Sequence, residues 1–294
     1  MTQGVVIDVR DLSHAYMPGT PLEVQSLRRV NFRVCRNETV GIVGPTGSGK
    51  STLLYHLNGL LRPQKGEVVV GGIELSNRSA DVRRVRSMVG LVFQNPEDQL
   101  FEQYAGDDVA FGPRNYDLSK EEIRERVRKA LEMVGLPFSF KDRLTADLSL
   151  GEKRRVALAG VFALEPEVLV IDEPTASLDP GGRRELIEVL KQWRKVPRRA
   201  MVIVSHSMED ILELADRTCV LAEGRMVYSG GTGDLFLDRN LLQAHDLVPP
   251  VSLQVVYGLE DRGFILQGKF PGKSLLTTRE VAEAVGGMLH GQGF

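Results

Sequence analysis

Gly44-Pro45-Thr46-Gly47-Ser48-Gly49-Lys50-Ser51 fits the phosphate-loop pattern GxxxxGK[ST] at every fixed position. Glycines at those places let backbone N–H groups converge on phosphate oxygens without obstruction by a Cβ, and a following helix N-terminus adds partial positive charge. Lys50 is suited to reach the β- and γ-phosphates as a point charge, and the Ser51 hydroxyl to ligate Mg²⁺. Further along, Val168-Leu169-Val170-Ile171-Asp172-Glu173 reads as an apolar strand that delivers two adjacent carboxylates at its end. Asp172 is placed to support Mg²⁺ through a water, and Glu173 to orient and polarise a water attacking the γ-phosphate. The chemistry implied is binding and hydrolysis of a nucleoside triphosphate with Mg²⁺. The bland alternatives are a Gly-rich connector and a pair of carboxylates capping the next helix. They are disfavoured by the strand–turn–helix context of the loop and by the occurrence of both features in one chain.

The elements around these residues have the expected character. Glu38-Thr39-Val40-Gly41-Ile42-Val43 is apolar and β-branched, as a buried strand requires, and Thr52-Leu53-Leu54-Tyr55-His56-Leu57 continues the loop into a helix. Residues 4–10, 30–34 and 67–70 are strand-like, with Gly71-Gly72 as a turn, and suggest a small antiparallel β layer. Residues 89–93 are a further strand, and the fully apolar runs at 168–171 and 201–204 suit the centre of a parallel sheet. Between them, residues 97–165 read as mostly helical. Ser119 with Glu122, and Ser149 with Glu152, form capping boxes. The first opens a helix to about Met133 with Ile123, Val127, Ala130 and Leu131 on one face; the second opens a helix that closes before Pro166. From about Gly231 the pattern weakens, and Asp234–Leu247 has the mixed polarity of a surface helix.

Composition bounds the answer without deciding it. A chain of 294 residues holds one large α/β domain with an appendage, or two modest domains. A net charge of −2 gives no global drive toward nucleic acid or an anionic membrane. The basic runs Arg83-Arg84-Val85-Arg86, Lys153-Arg154-Arg155 and Arg194–Arg199 read as solvated faces. Cys35 and Cys219 lie in strand-like surroundings without metal-ligand spacing and are expected to be reduced. No apolar run approaches the roughly 18 residues of a membrane span, and no signal peptide is expected from Met1-Thr2-Gln3-Gly4.

With these motifs in order, residues 1 to about 235 resemble an ABC-type ATP-binding cassette. Leu148-Ser149-Leu150-Gly151-Glu152 is similar to the family signature LSGGQ, Ser177-Leu178-Asp179 to its D-loop, and His206 to its switch histidine. Gln94 resembles the glutamine whose loop ties the nucleotide site to the membrane partner, and Tyr16 the aromatic residue that stacks on adenine. The resemblance implies a P-loop NTPase with a RecA-like parallel core, an antiparallel β layer, an inserted helical subdomain at about 97–165 and a C-terminal extension at 236–294. It implies nucleotide contacts by Tyr16, Gly44, Pro45, Thr46, Gly47, Ser48, Gly49, Lys50, Ser51, Thr52, Gln94 and Asp172. It places Ser149, Gly151 and Asp179 at a nucleotide shared with a second cassette, and Mg²⁺ on Ser51, Gln94 and Asp172. Catalysis falls to Glu173, His206 and Lys50. Leu150 departs from the pattern, standing where the signature has its first glycine. Either its side chain obstructs the nucleotide held by a partner, which favours a heterodimer, or it turns away and is tolerated.

The stretches Tyr16–Glu23, Phe93–Phe101 and Asp108–Pro113 resemble those of energy-coupling factor transporter ATPases. Arg155–Gly160 and His206–Asp210 are similar as well. That resemblance implies an ATPase at the cytoplasmic face of the cell membrane. Its partners would be a second ABC ATPase, a transmembrane coupling protein and a small membrane substrate-binding protein, and its cargo a vitamin or transition-metal ion. Pro96–Phe101 would line the groove for the coupling helices. The competing reading is a soluble ABC ATPase acting on nucleic acid or ribosomes, which usually carries long coiled-coil insertions or two cassettes in one chain. An importer cassette served by an extracellular binding protein is a more distant option. The cargo itself is not encoded in this chain.

Overall fold

The computed structural model describes residues 4–176, 178–263 and 278–291. The strands are β1 (Val5–Tyr16), β2 (Val24–Cys35), β3 (Thr39–Val43), β4 (Lys65–Val70) and β5 (Ile73–Glu74). They continue with β6 (Val89–Val92), β7 (Val168–Asp172), β8 (Ala200–Val204), β9 (Arg217–Ala222) and β10 (Arg225–Gly231). The helices of the first half are α1 (Lys50–Leu57), α2 (Val82–Met88), α3 (Ala105–Arg114), α4 (Lys120–Met133) and α5 (Leu150–Phe162). The rest are α6 (Pro180–Arg194), α7 (Met208–Leu214), α8 (Thr232–Leu237), α9 (Arg239–Ala244), α10 (Val251–Glu260) and α11 (Thr278–Gly291).

Two sheets result. The larger has the order β10-β9-β3-β8-β7-β6, parallel except for β10, and the smaller is antiparallel with the order β2-β1-β4-β5. The strands β3, β7 and β8 are buried along their whole length, which explains why their sequences are apolar without alternation. Each face of the larger sheet feeds a different core. Leu169, Ile171, Met201 and Ile203 face the core shared with α3, α4, α5 and α6. Val168, Val170, Val202 and Val204 face the core shared with α1 and the antiparallel sheet. The phosphate loop, at the end of the central strand β3, is therefore held between a parallel sheet and an antiparallel one.

The expected strands 4–10 and 30–34 are each part of a longer strand. Asp11 and Arg29 adopt positive φ of 47° and 51°, and the β1–β2 register shifts between Val9 and Leu12. Such bulges break the two-residue alternation that marks a strand in sequence. Both capping boxes form, with Ser119 and Glu122 opening α4 and Ser149 and Glu152 opening α5. The surface helix expected over Asp234–Leu247 is instead two short helices, broken at Asp238, whose carboxylate accepts from Leu241 N at 3.0 Å and caps α9. Leu235, Phe236, Leu242 and Leu247 are buried, and with Leu253 and Val256 of α10 they join the core of the helical face. Among the described residues no helix is long and apolar enough to cross a membrane.

Candidate functional site

The phosphate loop owes its path to two glycines. Gly44 has φ 146°, and a Cβ there would lie 2.0 Å from the Leu221 carbonyl oxygen. Gly49 has φ 103°, caps α1 in the left-handed region, and a Cβ there would lie 2.5 Å from the Ser26 carbonyl oxygen. Lys50 is buried beneath the loop, and its Nζ donates to the carbonyls of Gly44 at 2.8 Å and Pro45 at 2.9 Å. Burial lowers the Lys50 pKa, while the Glu173 and Asp172 carboxylates oppose that shift. Ser48 Oγ is buried within the loop without a hydrogen-bond partner. A cradle only glycine permits, a buried ammonium and an unpaired hydroxyl together fit a triphosphate.

The strand pair β3 and β7 brings the acidic residues to the same end. Ser51 Oγ donates to Asp172 Oδ2 at 2.7 Å, setting a hydroxyl and a carboxylate side by side. That hard-oxygen set fits Mg²⁺, which keeps several waters and takes few protein ligands. Glu173 follows with φ 49°, an unusual region for a residue bearing a Cβ, and its N–H donates to Val204 O at 2.9 Å. Its Oε2 accepts from the His206 backbone N–H at 3.1 Å, while Oε1, 3.5 Å from His206 Nε2, has no hydrogen-bond partner. Burial raises the Glu173 pKa and Asp172 adds to the rise; His206 and Lys50 oppose it. The outcome is a carboxylate with a free, desolvated oxygen beside a histidine, the arrangement a general base for water needs.

Other expected residues lie further out. Tyr16 ends β1 with much of its ring exposed, and its hydroxyl sits 3.1 Å from Thr52 Oγ1. Gln94 is exposed just beyond β6, next to β7 in the sheet. Ser149 and Glu152 bond each other, and Leu150 is 65% exposed on the first turn of α5. Gly151 and Asp179 line one cleft with Arg154 and Leu178, and Asp179 caps α6 by accepting from Gly181 N at 3.1 Å and Gly182 N at 3.3 Å. Ser177 lies outside the described residues.

The reading of Lys153-Arg154-Arg155 as a solvated face is corrected at its centre, because Arg154 is buried. Its guanidinium donates to Gln94 O at 3.2 Å and Ala176 O at 3.1 Å, and faces Glu97 at 3.5 Å. One side chain thus joins α5 to the segments following both β6 and Glu173. Buried Asp210 of α7 was also missed; it accepts from the Thr175 hydroxyl and from Arg183 Nε. No motif marks Arg154, and the His206–Asp210 stretch gave no sign that Asp210 is buried, since the partners of both are backbone carbonyls and distant side chains.

A phosphate loop and a carboxylate strand in one parallel sheet, with a helical insertion between them and a β layer alongside, define the class of the ATP-binding cassettes. Residues 27–176 match the ABC transporter family. The energy-coupling factor transporter ATP-binding protein EcfA2 of Symbiobacterium thermophilum is 47% identical over 281 residues, covering 96% of each chain. The EcfA2 of Clostridium acetobutylicum is 44% identical over 259 residues, covering 88% of this chain and 91% of that one. Among solved structures, cbiO1 of Clostridium perfringens, part of the ABC transporter complex cbiONQ, superposes with a TM-score of 0.72 at 33% identity. It is covered completely and matches 88% of this chain. A dimeric ATP-binding cassette holding ADP and Pi superposes with a TM-score of 0.69 at 28% identity, over 77% of this chain and 98% of that one. The chain belongs to the ABC ATPases, in the family of the energy-coupling factor transporter ATP-binding proteins.

Proposed function

We propose that this chain is the ATP-hydrolysing subunit of an energy-coupling factor importer and that its own catalytic set is Lys50, Glu173 and His206. The observation that carries the reading is the meeting of Ser51 and Asp172 at 2.7 Å beside the Glu173–His206 pair, at the mouth of a glycine-built phosphate loop. Gly44 through Thr52 bind the triphosphate, and Tyr16 offers its ring to the base. Mg²⁺, held by Ser51 and Asp172 with Gln94 nearby, would neutralise charge on the phosphate oxygens. Glu173 orients water through its free oxygen and takes up its proton. His206 holds the Glu173 carboxylate in place and stands where phosphate leaves.

The remaining parts of the reading concern assembly. Beyond Gln94, Phe101 and Phe111 form an edge-to-face pair with centroids 4.7 Å apart, exposed beside Tyr104 and Leu144. That apolar patch, next to the Gln94 segment, suits helices of a transmembrane coupling protein. The chain would work at the cytoplasmic face of the membrane with that protein, a small membrane substrate-binding protein and a second ABC ATPase. Residues 1–235 would form the cassette and 236–294 a C-terminal extension, the cargo being a vitamin or transition-metal ion.

Leu150 makes the ATPase pair asymmetric on this reading. Its exposed isobutyl group stands at the α5 N-terminus, where Ser149 and Gly151 would approach a nucleotide held by the partner. The site built on Lys50 and Glu173 then carries turnover. Leu150→Gly is expected to raise turnover of the assembled complex several-fold by restoring the second site; unchanged turnover would dispose of the asymmetry. The role as a whole is tested by tagging the chain in its native host and solubilising membranes in mild detergent. A second cassette and two integral membrane proteins should come with it. Recovery with ribosomes or nucleic acid from the soluble fraction alone would refute the importer assignment.

A further inference from the structure

The base and triphosphate of one nucleotide would rest on two different sheets. Tyr16 ends β1 in the antiparallel sheet, whereas the phosphate loop extends β3 in the parallel one. Beyond Tyr16 the chain enters the exposed turn 17–22. What joins the two is a closed circuit of side chains. The Tyr16 ring packs edge-on against His14, with centroids 4.9 Å apart and planes at 74°. His14 packs in the same way against His56 of α1, at 4.9 Å and 76°. His56 Nδ1 lies 2.7 Å from the Thr52 carbonyl, which makes Nδ1 the protonated nitrogen of the neutral ring. Thr52 Oγ1 then returns to the Tyr16 hydroxyl at 3.1 Å and reaches Ser26 Oγ at 2.8 Å. Both histidines are buried, His56 completely.

We propose that His14 and His56 are positioning residues for ATP, a packed ring pair that fixes the Tyr16 face relative to the phosphate-loop helix. The inference rests on the reading of Tyr16 as the surface that receives the base. Core filling alone accounts poorly for the pair. His14 Nδ1 is buried without a hydrogen-bond partner, a cost that a phenylalanine or leucine of similar size avoids. The circuit instead uses ring geometry, edge to face twice over, together with the Nδ1 bond that fixes the orientation of the His56 ring. Burial keeps both rings neutral near pH 7 by lowering their pKa values, that of His56 to about 4, with His14 adding to the depression.

The test is equilibrium binding of MgATP and of magnesium tripolyphosphate, which has no base, to the purified full chain. His14→Ala is expected to weaken ATP binding by about tenfold, the scale of one base–aromatic contact. Tripolyphosphate affinity should stay within about twofold, because the phosphate loop itself is untouched. His14→Phe, which keeps the edge-to-face packing, should restore ATP affinity to within about twofold of the wild type. His56→Phe keeps the volume but loses the Thr52 bond, and should weaken ATP binding by about threefold with tripolyphosphate unchanged. Equal losses for both ligands would reduce the pair to a structural support of α1 and overturn the proposal. Wild-type ATP affinity in His14→Ala alongside a loss in Tyr16→Ala would overturn it while sparing the base surface. Wild-type ATP affinity in Tyr16→Ala would overturn the base surface and the proposal together.

Discussion

Glu173 occupies a backbone region, φ 49°, that costs a side-chain-bearing residue about 1–3 kcal/mol. Its backbone is held there by the bond from its N–H to Val204 O, and its carboxylate by the one from His206 N–H to Oε2. Oε1 is buried without a hydrogen-bond partner, and desolvation raises the pKa of the carboxyl. A base shifted toward neutrality takes a proton from water more readily than an ordinary glutamate does. The buried His56 shows the opposite sign of the same physics. Its pKa falls from 6.5 in the unfolded chain to about 4 in the fold, so the unfolded state binds more protons between those values. Stability is therefore retained above about pH 6.5 and declines as the pH drops toward 4, by up to about 3 kcal/mol from this residue. Melting temperatures measured across that range should fall more steeply for the wild type than for His56→Leu. Equal slopes would show that His56 is not held neutral.

Gly49 decides whether the end of β3 can become the start of α1. Its φ of 103° and the 2.5 Å approach of a Cβ to the Ser26 carbonyl leave no room for any other residue, because the obstructing atom is backbone. Gly49→Ala is expected to destabilise the chain by about 2 kcal/mol or more and to weaken ATP binding by at least about tenfold. Thermal melting and nucleotide titration would check this, and wild-type values in both would contradict it. The phosphate-loop element was legible in the sequence because it combines invariant spacing with an apolar strand and a helix start. The capping boxes at Ser119 and Ser149 were legible for the same reason, being local patterns with local partners. Half of β1 and β2 was not, because the bulges at Asp11 and Arg29 interrupt the alternation. Nor was the buried role of Arg154, whose flanking basic residues suggested solvent while its partners are Glu97 and two backbone carbonyls. The His14–His56 contact joins a strand to a helix across two sheets, and no sequence spacing announces it.

At the scale of the molecule, one parallel sheet separates two cores with different tasks. The core toward the antiparallel sheet backs the phosphate loop and Tyr16 with rigid packing around Leu53, Leu54 and Leu57. The opposite core joins the helical insertion to α6 and α7 and takes in Phe236, Leu242, Leu253 and Val256 from the last part of the chain. Arg154 spans from that helical insertion to the loop after Glu173 and to the segment after β6, through the Ala176 and Gln94 carbonyls. The central claim is that the carboxylate on this chain hydrolyses ATP within the transporter. The most direct measurement is MgATP binding and turnover by the assembled complex carrying Glu173→Gln. The account predicts affinity within about twofold of the wild type and turnover lower by at least about a hundredfold, the scale of a lost general base. Turnover within a few-fold of the wild type would contradict it.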